Sequence, residues 1–140
     1  MIVYVESSAV LAWILGEAQG AEVRGHFGRA ERVVSSTLTA VECGRVIARG
    51  ARDGTFGRTE ELAALHLLDR AAASWVTLEM TGVVLERARH GFPREPVRTL
   101  DAIHLATAVQ FQEAIPDLAV VSLDERIRCN AQALAMTVVP

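Results

Sequence analysis

Three of four acidic residues follow short apolar runs that read as strands, and the fourth opens a helix. Glu6 closes the run "IVYV", Asp124 lies two residues past "AVVS", Glu42 falls in the first turn of the helix after "RVVSS", and Asp101 opens the helix of "TLDAIHLATA". Burying a carboxylate without a partner is costly, so an acid at the mouth of a core strand needs a helix N-terminus, a basic group or a metal. Carboxylates gathered in one place cannot all stay ionised without a cation. Oxygen donors with open positions are what Mg²⁺ or Mn²⁺ takes.

Local explanations compete with that chemistry. Thr39 to Glu42 and Ser122 to Glu125 both match the spacing of a capping box, and Asp101 suits a helix dipole. Glu6 is harder to explain this way, although Ser7 and Ser8 can begin a helix without its help. His104 falls three residues after Asp101, on the same helix face, which permits an acid–base pair; a histidine hydrogen-bonded within a helical layer is the commoner case. His26, His66 and His90 lie near helix ends or on helical faces and read as packing or solvent-side residues. Trp13 and Trp75 read as core or interface residues. No G-x-S-x-G, P-loop or G-x-G-x-x-G occurs. Cys43 and Cys129 have no second cysteine or histidine at zinc-ligand spacing and read as reduced packing residues.

The elements that must position these residues alternate along the chain. Helices are expected over 7–15, 19–27, 39–52, 60–73, 81–89, 99–112 and 124–134, and strands over 2–5, 32–36, 75–78, 118–123 and the terminal "MTVVP". In the helix over 60–73, Leu62, Leu65, Leu68 and Ala72 mark the expected core side. "GFPREPV", with two prolines in seven residues, is the loop before Asp101. Such alternation predicts an α/β fold, a parallel sheet covered on both faces, in one domain over 1–140. Ligands of such sheets bind beyond the carboxyl ends of the strands, where strand order reverses.

Composition narrows the class. The 140 residues suit a single domain, and 51% hydrophobic with 5% aromatic content is that of a compact protein. No apolar stretch reaches the roughly eighteen residues of a membrane span, and no signal peptide is visible, so a cytoplasmic location is expected. A net charge of −3 argues against a nucleic-acid binder, since such domains are usually basic. Yet all fourteen basic residues are arginine, which suits bidentate phosphate contacts. Setting the four acids' charges against a metal turns −3 into +1 for the rest of the chain. Arg45, Arg49 and Arg98 are then the candidate phosphate contacts.

In order and approximate spacing, "VYVESSAVLAWI", "SSTLTAVECGRVIAR", "PVRTLDAIHLATA" and "VVSLDERI" resemble the four acidic motifs of PIN-domain ribonucleases, and most closely the VapC-type toxins of bacterial toxin–antitoxin pairs. "RTLDAIHLATA" carries most of the weight. The resemblance spans nearly the whole chain. It implies a three-layer α/β/α fold and an Mg²⁺- or Mn²⁺-dependent endoribonuclease, with Glu6, Glu42, Asp101 and Asp124 as the metal-binding quartet and Ser8 as the hydroxyl beside the first acid. It also implies a homodimer, an RNA substrate, and a small VapB-type antitoxin through which the complex reaches operator DNA.

One position departs from the family pattern, whose first acid is ordinarily aspartate. Glu6 adds a methylene, about 1.5 Å of reach, where metal ligation tolerates about 0.2 Å. The alternative expectation is therefore a catalytically attenuated PIN-like module that still binds an antitoxin. A receiver-like phosphoacceptor also gathers acids at strand ends, but needs a lysine, and this chain has none.

Overall fold

A computed structural model describes residues 1–140. The chain runs β1 (Ile2–Val5), α1 (Ser7–Ile14), α2 (Gly20–Arg29), β2 (Arg32–Ser36), α3 (Thr37–Arg52), α4 (Arg58–Ala72), β3 (Val76–Leu78), α5 (Gly82–Ala88), α6 (Thr99–Ala114), β4 (Ala119–Val121), α7 (Glu125–Ala133) and β5 (Thr137–Val139). Every strand expected from the apolar runs forms, and they pair in parallel in the order β3-β2-β1-β4-β5. Strand order therefore reverses beside β1, the strand that Glu6 ends.

Strand alternation divides the core in two. Tyr4 joins Val34 and Val120 under Val84, Leu105 and Ile127, from α5, α6 and α7. Val3 and Val5 face the other way with Ala119 and Val121, against Val10, Val23, Cys43, Ile47 and Leu68 from the first four helices. The result is the expected three-layer α/β/α sandwich. Gly20 lets α2 lie close on α1, because a Cβ there would sit 2.3 Å from the Ala12 carbonyl oxygen.

Two local expectations need correction. The helix over 39–52 begins at Thr37, because the Ser36 hydroxyl accepts from Leu38 N–H at 3.1 Å and caps it. Thr39 is therefore inside the helix, its hydroxyl bonded to Ser35, and Glu42 is in the second turn with no capping box to close. On α4 the core side is Ala64 and Leu68, with Leu65 beside them, while Leu62 is exposed.

The proline-bearing loop is tied down before it reaches Asp101. Asn130 of α7 accepts from Arg94 N–H and donates to the Arg94 carbonyl, both at 2.9 Å. The Glu95 carboxylate accepts from the N–H groups of Phe92 and Val97. These bonds fix where α6 begins.

Candidate metal and nucleic-acid site

The carboxyl ends of β1 and β4 meet at Glu6. Its side chain is 3% exposed and caps α1, accepting from Ser8 N–H at 2.9 Å. The hydroxyls of Ser122, at 2.6 Å, and of Ser8 both donate to Oε1, and the Ser7 hydroxyl stands 3.4 Å from Oε2. A carboxylate offers about four lone-pair sites, so Glu6 is satisfied by neutral donors of its own chain. The serines are polarised in turn. Ser8 Oγ accepts from the N–H groups of Leu123 and Asp124, and Ser122 Oγ accepts from Asp124 N–H. The buried acid thereby fixes the turn that carries Asp124.

Asp124 caps α7, with Oδ1 accepting from Arg126 N–H at 2.8 Å. The Ser122 to Glu125 capping box is not formed, since Asp124 itself is the cap. This leaves Oδ2 free, 3.8 Å from the Arg98 guanidinium. Asp101, in the first turn of α6, accepts from Arg98 Nε at 3.1 Å. The hydrogen bond from Arg98 to Asp101, and then the charge of that carboxylate, hold the guanidinium pKa above its ordinary value.

Glu42 meets His104, 62 residues away in sequence, rather than a backbone donor. The imidazole is 1% exposed, and its Nδ1 lies 2.9 Å from the Tyr4 hydroxyl. His104 thus pairs with Glu42 and not with Asp101, the partner its spacing suggested. Glu42 and Asp101 line one shallow hollow of about 370 Å³ with Arg98, Thr99 and Leu100. Negative potential reaches the core beneath: the Cys43 thiol pKa is pushed up to about 12, by burial first and then by Glu42 and Glu6.

Asp101 and Asp124 are therefore linked through Arg98, with Glu42 lining the same hollow as Asp101, while Glu6 is turned into its serines. No three His, Cys, Asp or Glu side chains converge closely enough to hold a metal ion between them. The donor set nevertheless suits a hard divalent ion. Two aspartate oxygens already share one cation, the chain's own guanidinium, and that side chain is 66% exposed. A larger cavity of about 600 Å³, lined by Ile14, Leu15, Phe56, Ala64 and Leu67 among others, contains none of the four acids. Arg45 and Arg49 are exposed on α3.

Sequence reasoning missed Ser122 as a partner of Glu6 and Tyr4 as the partner of His104. A polar residue closing the apolar "AVV" run was the available signal for Ser122; nothing local marks the bond between Tyr4 and His104.

Comparison with known proteins agrees with this architecture. The family model for the PIN domain matches residues 3–132. Ribonuclease VapC35 of Mycobacterium tuberculosis is 33% identical over 140 residues, covering 99% of this chain and 96% of that protein. The crystal structure of VapC20 from the same organism, a sarcin–ricin-loop-cleaving toxin, superposes with a TM-score of 0.60 at 16% identity, over 91% of this chain and 93% of that one. That of VapBC-5, a toxin–antitoxin system of the same organism, gives 0.58 at 18%, over 99% and 97%. No helix is long and apolar enough to cross a membrane.

Proposed function

This chain belongs to the PIN-domain family, among relatives of the VapC ribonucleases, and on that premise we propose that it is the toxin of a VapBC-type pair, an Mg²⁺- or Mn²⁺-dependent endoribonuclease. The observation that carries the reading is the pair Asp101 and Asp124, from two different helices, sharing a single exposed cation beside Glu42 at the sheet's reversal point.

Asp101 and Asp124 would be the principal metal ligands and Glu42 the third. Glu6 would contribute through Oε2, which takes the Ser8 N–H and a long contact from the Ser7 hydroxyl, while the Ser8 and Ser122 hydroxyls hold Oε1. A divalent ion supplies Lewis acidity at such a site: it lowers the pKa of water and offsets charge developing on phosphate oxygens. Arg98, displaced from the aspartates, is placed to take a phosphate of the RNA, with Arg45 and Arg49 further along α3. The partner is a VapB-type antitoxin, through which operator DNA is reached. Exposed Val83 and Leu85 on α5 and Leu100 on α6 offer apolar surface to a second copy of the chain.

The test is cleavage of an end-labelled RNA pool by antitoxin-free protein in Mn²⁺. Cleavage should vanish with EDTA and in Asp101→Ala. Cleavage that survives both removes the metal-nuclease reading.

A second reading, a binding module with little turnover, is favoured by one observation: Glu6 has every oxygen engaged. If that reading holds, the wild-type chain is nearly inactive, and Glu6→Asp, which withdraws the carboxylate from Ser122, raises cleavage.

A further inference from the structure

We infer that Tyr4 and His104 are positioning residues: the Tyr4 hydroxyl fixes the imidazole tautomer so that His104 Nε2–H donates to Glu42 and orients its carboxylate toward the hollow shared with Asp101. This deepens the nuclease reading and rests on it for its consequence, but not for its geometry.

The donor direction follows from what each group can do. An ionised glutamate only accepts hydrogen bonds, so the nitrogen facing Glu42 Oε1 must carry the proton. In a neutral ring the other nitrogen, Nδ1, is then bare and needs a donor. At 2.9 Å it has the Tyr4 hydroxyl. The Thr107 hydroxyl, the other polar neighbour of the phenol, donates to the Ile103 carbonyl at 2.7 Å, so it supplies no proton to this pair. Protons therefore point one way, from Tyr4 through His104 to Glu42.

Both donors are rigid. Tyr4 is fully buried in the middle of β1 and His104 in the middle of α6, and their rings meet edge to face with centroids 6.3 Å apart. Glu42 is the flexible member, a long side chain on the rim. A hydrogen bond to one of its oxygens selects a rotamer and leaves Oε2 for a metal or its water. In metal sites generally, the groups that orient a ligand are worth about 10–100-fold in affinity.

The relay makes two measurements decisive. In wild-type, metal-free protein, the ¹⁵N shifts of His104 should report a neutral ring protonated on Nε2. A ring protonated on both nitrogens, or on Nδ1, overturns the proposal, because Tyr4 would then accept rather than donate. In Mn²⁺ titrations, Tyr4→Phe should weaken binding about 10-fold, by letting the ring present a lone pair to Glu42. His104→Gln supplies an amide donor with no tautomer to choose, so it should bind Mn²⁺ nearly as wild type does. Adding Tyr4→Phe to it should then change nothing further. Equal losses from Tyr4→Phe in both backgrounds, or none in either, contradict the relay and leave the two residues as packing. A wild-type chain that binds no Mn²⁺ at all would defeat the nuclease reading instead, and the tautomer would still decide the relay.

Discussion

The end of β1 and the rim around Arg98 both hold carboxylates, yet they hold them differently. Glu6 lies 3% exposed among three serines and a helix N-terminus, each partner within two residues in sequence or on the adjacent strand end. Asp101 and Asp124 face an exposed guanidinium, and Glu42 depends on a histidine from another helix. The first arrangement is closed, with neutral donors that stay put whether or not a cation arrives. In the second, the two aspartates are held by an exposed guanidinium that a cation can replace, while Glu42 keeps a buried histidine on one oxygen. A carboxylate satisfied from within contributes to stability, and one whose partner is mobile is available for chemistry.

The contrast is broken most severely at the rim. Replacing Asp101 or Asp124 with Asn should lower Mn²⁺-dependent cleavage by about 10²–10³-fold, the scale seen when one group stabilising transition-state charge is removed. Thermal stability should hardly change, since Asn caps α7 as well as Asp124 does and the pair of Asp101 with the exposed Arg98 contributes little. Asp124→Ala should lose the same activity and also about 1 kcal/mol of stability, because it removes the cap of α7. Calorimetric melting beside the cleavage assay separates the two effects.

At the closed end the effect should fall on stability first. Glu6→Ala leaves the Ser8 and Ser122 hydroxyls without their acceptor and uncaps α1, at a cost of about 1–3 kcal/mol per buried group left unpaired. Chemical denaturation should show it. If Glu6→Ala melts like wild type while Asp101→Asn unfolds, the contrast drawn between the two regions is reversed.

Much of this was legible in the chain. Apolar runs and helical periodicity marked all five strands and seven helices, and the four acids stood out as residues after strands or in the first turn of a helix. What stayed hidden depends on contacts distant in sequence. The start of α3 at Thr37 turns on Ser36 outcompeting Thr39 as a cap, a choice between two equally good local signals. Strand alternation separates Tyr4 from Val3 and Val5, but only the packing of α6 shows that Tyr4 lies beneath His104. The pairing of His104 with Glu42 across 62 residues overrides the i, i+3 spacing that suggested Asp101. Leu62 fits the helical stripe of α4 but faces out.

Two smaller effects sharpen the comparison. Arg98→Gln should flatten the salt dependence of RNA binding by about one unit of slope if the guanidinium contacts phosphate. It should also tighten Mn²⁺ by freeing both aspartates; an unchanged slope and unchanged Mn²⁺ affinity together would remove Arg98 from the site. The smallest effect is alkaline. The Cys43 thiol titrates at an ordinary 9.0 when unfolded and at about 12 when folded, so between those values the folded state binds more protons. Its contribution is therefore complete below about pH 9 and is lost as pH rises toward 12. Denaturation midpoints should fall over that window, and less steeply in Cys43→Ala.

The most direct test of the exchangeable rim is a calorimetric titration of Mn²⁺ into the metal-free, antitoxin-free chain and into the Asp101→Asn, Asp124→Asn double variant. Saturable binding by the wild type that disappears in the variant, with both proteins melting at nearly the same temperature, is the predicted result. Binding of equal strength in both would contradict it, because the ion would then sit somewhere other than between the two aspartates that Arg98 now bridges.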